Sequence, residues 1–235
     1  ISQGRVGTDI NVQPFALSEF LVDPLQVIRL SSDLSVDNMS VIHADAAIQG
    51  LWLRHKAALG AGRLTTDFHL GISAADAFDS GASLTGLEVI GGEELLLTAF
   101  HGQSTEVINP GRYKVRIDSV SHPVAELRGL QVTATPQVAI LGTKPQWLIV
   151  EPQIKLGEVV HQRATLTDLS ATLGLRHSMA HHKTVVDSQW SLGAVTVVQP
   201  VEALESTQLK NLEGTAVFNW DGRNHKLDLK SLTQK

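Results

Sequence analysis

Apolar and polar residues alternate over long stretches of this chain. From Arg63 to Ile72, Leu64, Thr66, Phe68, Leu70 and Ile72 fall on one side, and Arg63, Thr65, Asp67 and His69 on the other. A strand has a side-chain period of two, so this run predicts a half-buried β-strand. Tyr113, Val115 and Ile117 alternate with Lys114, Arg116 and Asp118 in the same way. Ala216, Phe218 and Trp220 do so near the end, before Asp221-Gly222 breaks the run and Leu227 and Leu229 resume it. Asp-Gly between alternating runs predicts a hairpin, whose loop the following Arg-Asn can lengthen.

Turn signals recur at short intervals: Gly60 and Gly62, Gly91-Gly92, Asn109-Pro110-Gly111, His122-Pro123, Gly142 to Pro145, and Asp221-Gly222. Glycine supplies positive φ and proline presets φ, so each is a physical break. About ten strands lie between them, as in a sandwich, a barrel or a long curved sheet. Helix is scarce. Pro200 to Leu212, with Val201, Leu204, Leu209 and Leu212 near one face and Gly214 as a stop, predicts one helix. A second starts at Ser18 and is cut near Pro24, and Ala74 to Phe78 suits a single helical turn.

The predicted fold is therefore mostly β: a long, twisted, largely antiparallel sheet, sandwich-like or a half-open groove, with one or two short helices. It forms one β-rich domain over 1–235. Two stacked, similar sub-repeats meeting near 140–150 are the alternative. The two segments 84–97 and 127–140 share a frame of leucine, any residue, Gly-Leu, a polar residue and Val. Such a frame marks stacked, similar strand pairs.

Composition narrows the chemistry. A net charge of −5 offers no basic nucleic-acid footprint. The absence of cysteine removes thiolate nucleophiles, disulfides and Cys-ligated metals. No run approaches the ~18 apolar residues of a membrane-spanning helix. A signal or anchor, if the protein has one, lies upstream of Ile1.

Candidate chemistry is sparse. His177, His181 and His182 form the densest cluster of potential metal ligands. On a helix the first two would share a face, the spacing of many zinc sites. The segment reads instead as a polar turn between two strands, and no cofactor is implied. There is no Gly-x-Ser-x-Gly elbow, no phosphate-binding glycine loop, and Glu93-Glu94 would diverge on a strand. Catalytic residues are therefore not assigned, and the chain reads as non-enzymatic. Of the four tryptophans, Trp190 and Trp220 read as core, while Trp52 or Trp147, if exposed on one surface, would suit sugar stacking. Leu64, Phe68, Leu70, Tyr113, Val115 and Ile117 line either an apolar groove or an ordinary core.

Residues 82–135, and above all Ile117-Asp118-Ser119-Val120 and Leu127 to Val132, resemble the YdgA-like family of bacterial envelope proteins of unknown function. AsmA-like and type II secretion N-like envelope proteins share this style of strand, to which 187–197 and 212–222 are also similar. The resemblance implies an exported protein, periplasmic or anchored to the inner membrane and facing the periplasm. For the AsmA-like group it implies a curved sheet with an apolar inner face, linked to lipid handling. The partner would be a lipid or an envelope protein. The alternatives are an adaptor that pairs its sheet edges with another protein, and a carbohydrate- or metal-binding β-sandwich.

Overall fold

The computed structural model describes residues 5–14, 16–20, 27–60, 63–96, 105–108, 111–141, 144–197, 207–221 and 223–234. One four-residue helix, α1 (Leu17–Phe20), matches the helix read at Ser18. The remaining elements are strands: β1 (Arg5–Val12), β2 (Leu30–Ile42), β3 (Ala46–Gly60), β4 (Arg63–Ala77), β5 (Ala82–Leu96), β6 (Thr105–Ile108), β7 (Tyr113–His122), β8 (Ala125–Ala134), β9 (Gln137–Leu141), β10 (Lys144–Val150), β11 (Gln153–His161), β12 (Ala164–Ser178), β13 (Lys183–Val197), β14 (Thr207–Trp220) and β15 (His225–Gln234).

Two helix readings are corrected. Ala74 to Ala77 is the end of β4, with the turn beginning at Phe78. Thr207 to Leu212 belongs to β14, while 200–206 lies outside the described residues. The predicted hairpin at Asp221 is present with a four-residue loop, in which the Asp221 carboxylate accepts the Arg223 and Asn224 backbone N–H groups at 3.0 and 2.7 Å. Those donors hold its pKa below the ordinary aspartate value.

All fifteen strands form one antiparallel sheet. Its branched strand order simplifies once register is followed. Val150 pairs with Leu175 and Gln153 with Thr172, so β10 and β11 meet β12 in one unbroken register. The Leu173 N–H still reaches the Pro152 carbonyl between them, at 2.9 Å. Likewise Thr133 pairs with Gln153 and Gln137 with Ile149, so β8 and β9 run on as one ribbon through Thr135-Pro136. Strands β6 and β7 lie in line against β9 and β8, with one extra residue on their side. The sheet is thus an up-and-down meander in which each ribbon pairs with its neighbours in sequence.

Elements make extensive contact only with hydrogen-bonded neighbours, and β1 does not pair with β15. The described sheet is therefore a single open layer. The whole chain exposes 15366 Å², against the roughly 10,000 Å² of a compact protein of 25.3 kDa. Among the described residues, Ala47 and Leu156 are the buried hydrophobic ones.

Candidate functional site

The sheet has one apolar and one polar face, and a line of unusual backbone keeps them separate. Gly50, Gly86, Gly129, Asp168 and Asn211 lie on this line inside strands at positive φ, and Asn38 lies beside it in β2, also at positive φ. Each is third in the same frame: Val36-Asp37-Asn38-Met39, Ile48-Gln49-Gly50-Leu51, Leu84-Thr85-Gly86-Leu87, Leu127-Arg128-Gly129-Leu130, Leu166-Thr167-Asp168-Leu169 and Leu209-Lys210-Asn211-Leu212. In a regular strand, residues three apart point to opposite faces. A left-handed residue between them re-phases the strand, so both apolar residues can serve one face. Gly, Asn and Asp are the residue types that enter this region at least cost. Leu127 and Leu130 are accordingly half-buried while Arg128 and Gly129 are exposed.

The opposing strands are matched. Asp118 lies opposite Gly129, Gly157 opposite Asp168, and Gly193 opposite both Asp168 and Asn211; each position is skipped while the register on either side is kept. A Cβ on Gly86 would collide with the Asp118 carboxylate, and one on Gly50 with the Ser73 hydroxyl.

Beside this line, apolar residues face one another across the strands: Met39 with Leu51, Ile72 with Leu87, Ile117 with Leu130, Leu156 with Leu169, and Leu192 with Leu169 and Leu212. Directly opposed residues share a face. A parallel row runs Val36, Leu53, Leu70, Val89, Val115, Val132, Ile154 and Ala171 to Trp190. Across the line a third row includes Ile48, Leu84, Val120, Leu127, Val159, Leu166 and Val195. At ~4.8 Å per strand and ~6.8 Å per row, the strip is roughly 45 Å long and on the order of 800 Å² in area. It runs across the strands.

The six groove-or-core residues lie on this face. Leu70 and Val115 stand in one row on either side of Val89. Phe68 and Tyr113 meet over Gly91, their ring centres 5.9 Å apart; a Cβ there would lie 2.6 Å from Phe68 Cε1 and 2.5 Å from Tyr113 Cδ1. Ile117 faces Leu130, and Leu64 sits farther along β4 opposite Leu59. All six are half-buried with no second layer above them. Tyr113 donates to Glu93 Oε2 at 3.2 Å; burial first, and then the Glu93 charge and hydrogen bond, raise its pKa above the ordinary tyrosine value.

The histidines are placed differently. His177, in β12, shares a 2.8 Å hydrogen bond through Nδ1 with Thr184 Oγ1 of β13. His181 and His182 lie exposed in the following turn, His182 at φ 49°. Among the described residues no group of three His, Cys, Asp or Glu side chains is gathered to hold a metal ion. Trp147 is exposed; Trp190 lies over Gly214 in the apolar row; Trp220, read as core, is 40% exposed at its strand end.

The opposite face is polar. Arg128 bridges Glu126 and Glu158 at 2.7 and 3.0 Å. Thr85 and Ser119 share a 2.8 Å hydrogen bond, as do Ser170 and Ser191. Gln153, Lys155, Ser170, Gln189, Glu213 and Thr233 contribute to a shallow trough of about 480 Å³ on it. No helix among the described residues is long and apolar enough to cross a membrane. No family model, curated protein or solved structure matches the chain.

Proposed function

We propose that this chain is a non-enzymatic, YdgA-like protein of the bacterial cell envelope, facing the periplasm, whose apolar sheet face takes a lipid or another apolar partner. The observation that carries the reading is the strip of three apolar rows, uncovered by a second layer of the described structure. Its area exceeds the roughly 300–600 Å² that is the largest apolar patch on a typical monomer, so something must shield it from water. An extended acyl chain lying across the strands meets one aliphatic side chain per ribbon and needs no polar partner. The repeated frame is equally consistent with this use, because it keeps the strip unbroken from β2 to β14.

Native mass spectrometry of the purified chain, followed by organic extraction, tests the reading. Bound acyl chains at one or more per protein are expected, and exchange of Leu87 and Leu130 for Asp should release them. A clean unliganded mass for the wild type would sink it.

A second reading, an adaptor that pairs through its sheet edges, is favoured by β15 and β1. The strands have no partner on their outer sides among the described residues. Leu227, Leu229, Leu232, Ile10 and Val12 are each more than half exposed on them. Such edges template pairing with another chain.

A further inference from the structure

We propose that the polar face carries a separate binding site, a stacking platform at Trp52 for a neutral pyranose ring. Trp52 lies on the polar side of β3, opposite Gly71 of β4. A Cβ on Gly71 would collide with the indole, so the ring is laid across the one residue of β4 that leaves room for it. His69, two residues before Gly71, stands at 80° to the indole with centres 4.4 Å apart and fixes its edge. His69 Nε2 is in turn held by Glu88 Oε1 at 2.7 Å. The indole is thus seated from below and from the side. No element of the described sheet is stacked on its outer surface.

Polar groups converge beside it. Trp52, Ser73, Gly86, Glu88, Arg116 and Asp118 line a hollow of about 250 Å³, which is room for a single sugar ring. Arg116 is aimed by Asp118, which accepts from its Nε at 3.1 Å. A guanidinium paired with a carboxylate presents donors and an acceptor side by side, the pattern that matches adjacent ring hydroxyls. The apolar C–H face of a pyranose suits the quadrupolar face of an indole. Two carboxylates against one guanidinium disfavour an acidic sugar. The apolar strip on the other face contributes nothing here, so this site stands whether or not that face binds lipid.

The test is an NMR titration of the whole chain with maltotriose, cellotriose and chitotriose, read on the indole N–H resonances. The chain has four tryptophans, hence four such signals. Saturable movement of the Trp52 signal with at least one sugar, at a Kd of about 1 mM or tighter, is the expected result. Arg116→Gln should weaken it about tenfold, as loss of a charged hydrogen-bond partner does. Gly71→Ala, which offers no group to a ligand, should abolish it by lifting the indole. An unmoved Trp52 signal at about 20 mM of each sugar would overturn the proposal. So would a response unchanged in both Arg116→Gln and Gly71→Ala.

Discussion

Strands β3 to β5 and strands β8 to β11 cross the same apolar strip by different means. In the first region each strand runs fifteen residues without interruption. In the second, ribbons of similar reach are cut into strands of ten, five, seven and nine residues. Both regions contain the line of left-handed residues, at Gly50 and Gly86 in one and Gly129 in the other. The second adds Pro136 and Pro152 on adjacent ribbons, where the missing N–H removes ladder bonds. Beside them Gly111, at φ 94°, lies so close to β5 that a Cβ would overlap the Gly92 carbonyl. The comparison separates two jobs. Left-handed residues re-phase a strand without ending it, whereas Pro136 and Pro152 end their strands without changing the register on either side.

The sharpest way to break this contrast is Gly111→Val. It places a branched side chain at positive φ and into a neighbouring backbone, so a loss of about 4 kcal/mol or more is expected in urea unfolding. Next is Gly86→Val, which must displace Asp118; about 2–4 kcal/mol is expected. Its counterpart is Asn211, where Gly should be tolerated within about 0.5 kcal/mol and Val should cost about 1–2 kcal/mol. Equal costs for the two Asn211 replacements would show that the left-handed backbone is not what the position demands. Smaller still is Pro136→Ala with Pro152→Ala, expected to change stability by less than about 1 kcal/mol. If proline alone divides the ribbons, hydrogen exchange should find new protected amides at both positions.

The smallest effect concerns Tyr113, the single tyrosine of the chain. Its pKa is raised in the folded state, so the stability it contributes is present below the unfolded value near 10 and is lost as pH rises through the folded value. Tyrosinate absorbance should therefore appear at higher pH in folded than in urea-unfolded protein. Tyr113→Phe should flatten the alkaline decline.

Much of this fold was legible in the alternation of residues such as Leu64 to Ile72 and Tyr113 to Ile117, because a one-layer sheet writes period two directly into the chain. The frame at 84–97 and 127–140 was legible twice and present six times. Asn38, Asp168 and Asn211 hid three of the other four, since the shared property is tolerance of positive φ rather than the letter Gly, and the frame at Gly50 opens on Ile48 instead of leucine. The same device explains the misread helix. Leu209 and Leu212 are three apart, a helical spacing, yet Asn211 between them makes it a strand step. Sequence patterning placed the six apolar residues on one face, but whether anything lies above them depends on chain contacts that periodicity does not encode. Trp52 was legible as one of two tryptophans suited to sugar stacking, but the seating of its ring was out of reach for a related reason. Its geometry depends on Gly71 and Glu88 from two other strands, and only register brings them together.

The meander has a mechanical consequence. In the described sheet each ribbon is held only by the ribbons on either side, as in a linear array of coupled units rather than around a shared centre. Such an array is weakest at its two ends. Opening β15 or β1 exposes a new edge equivalent to the old one, so the molecule should unzip hairpin by hairpin from its ends. Amide protection should then form a gradient that peaks in the middle of the sheet and falls toward both edges.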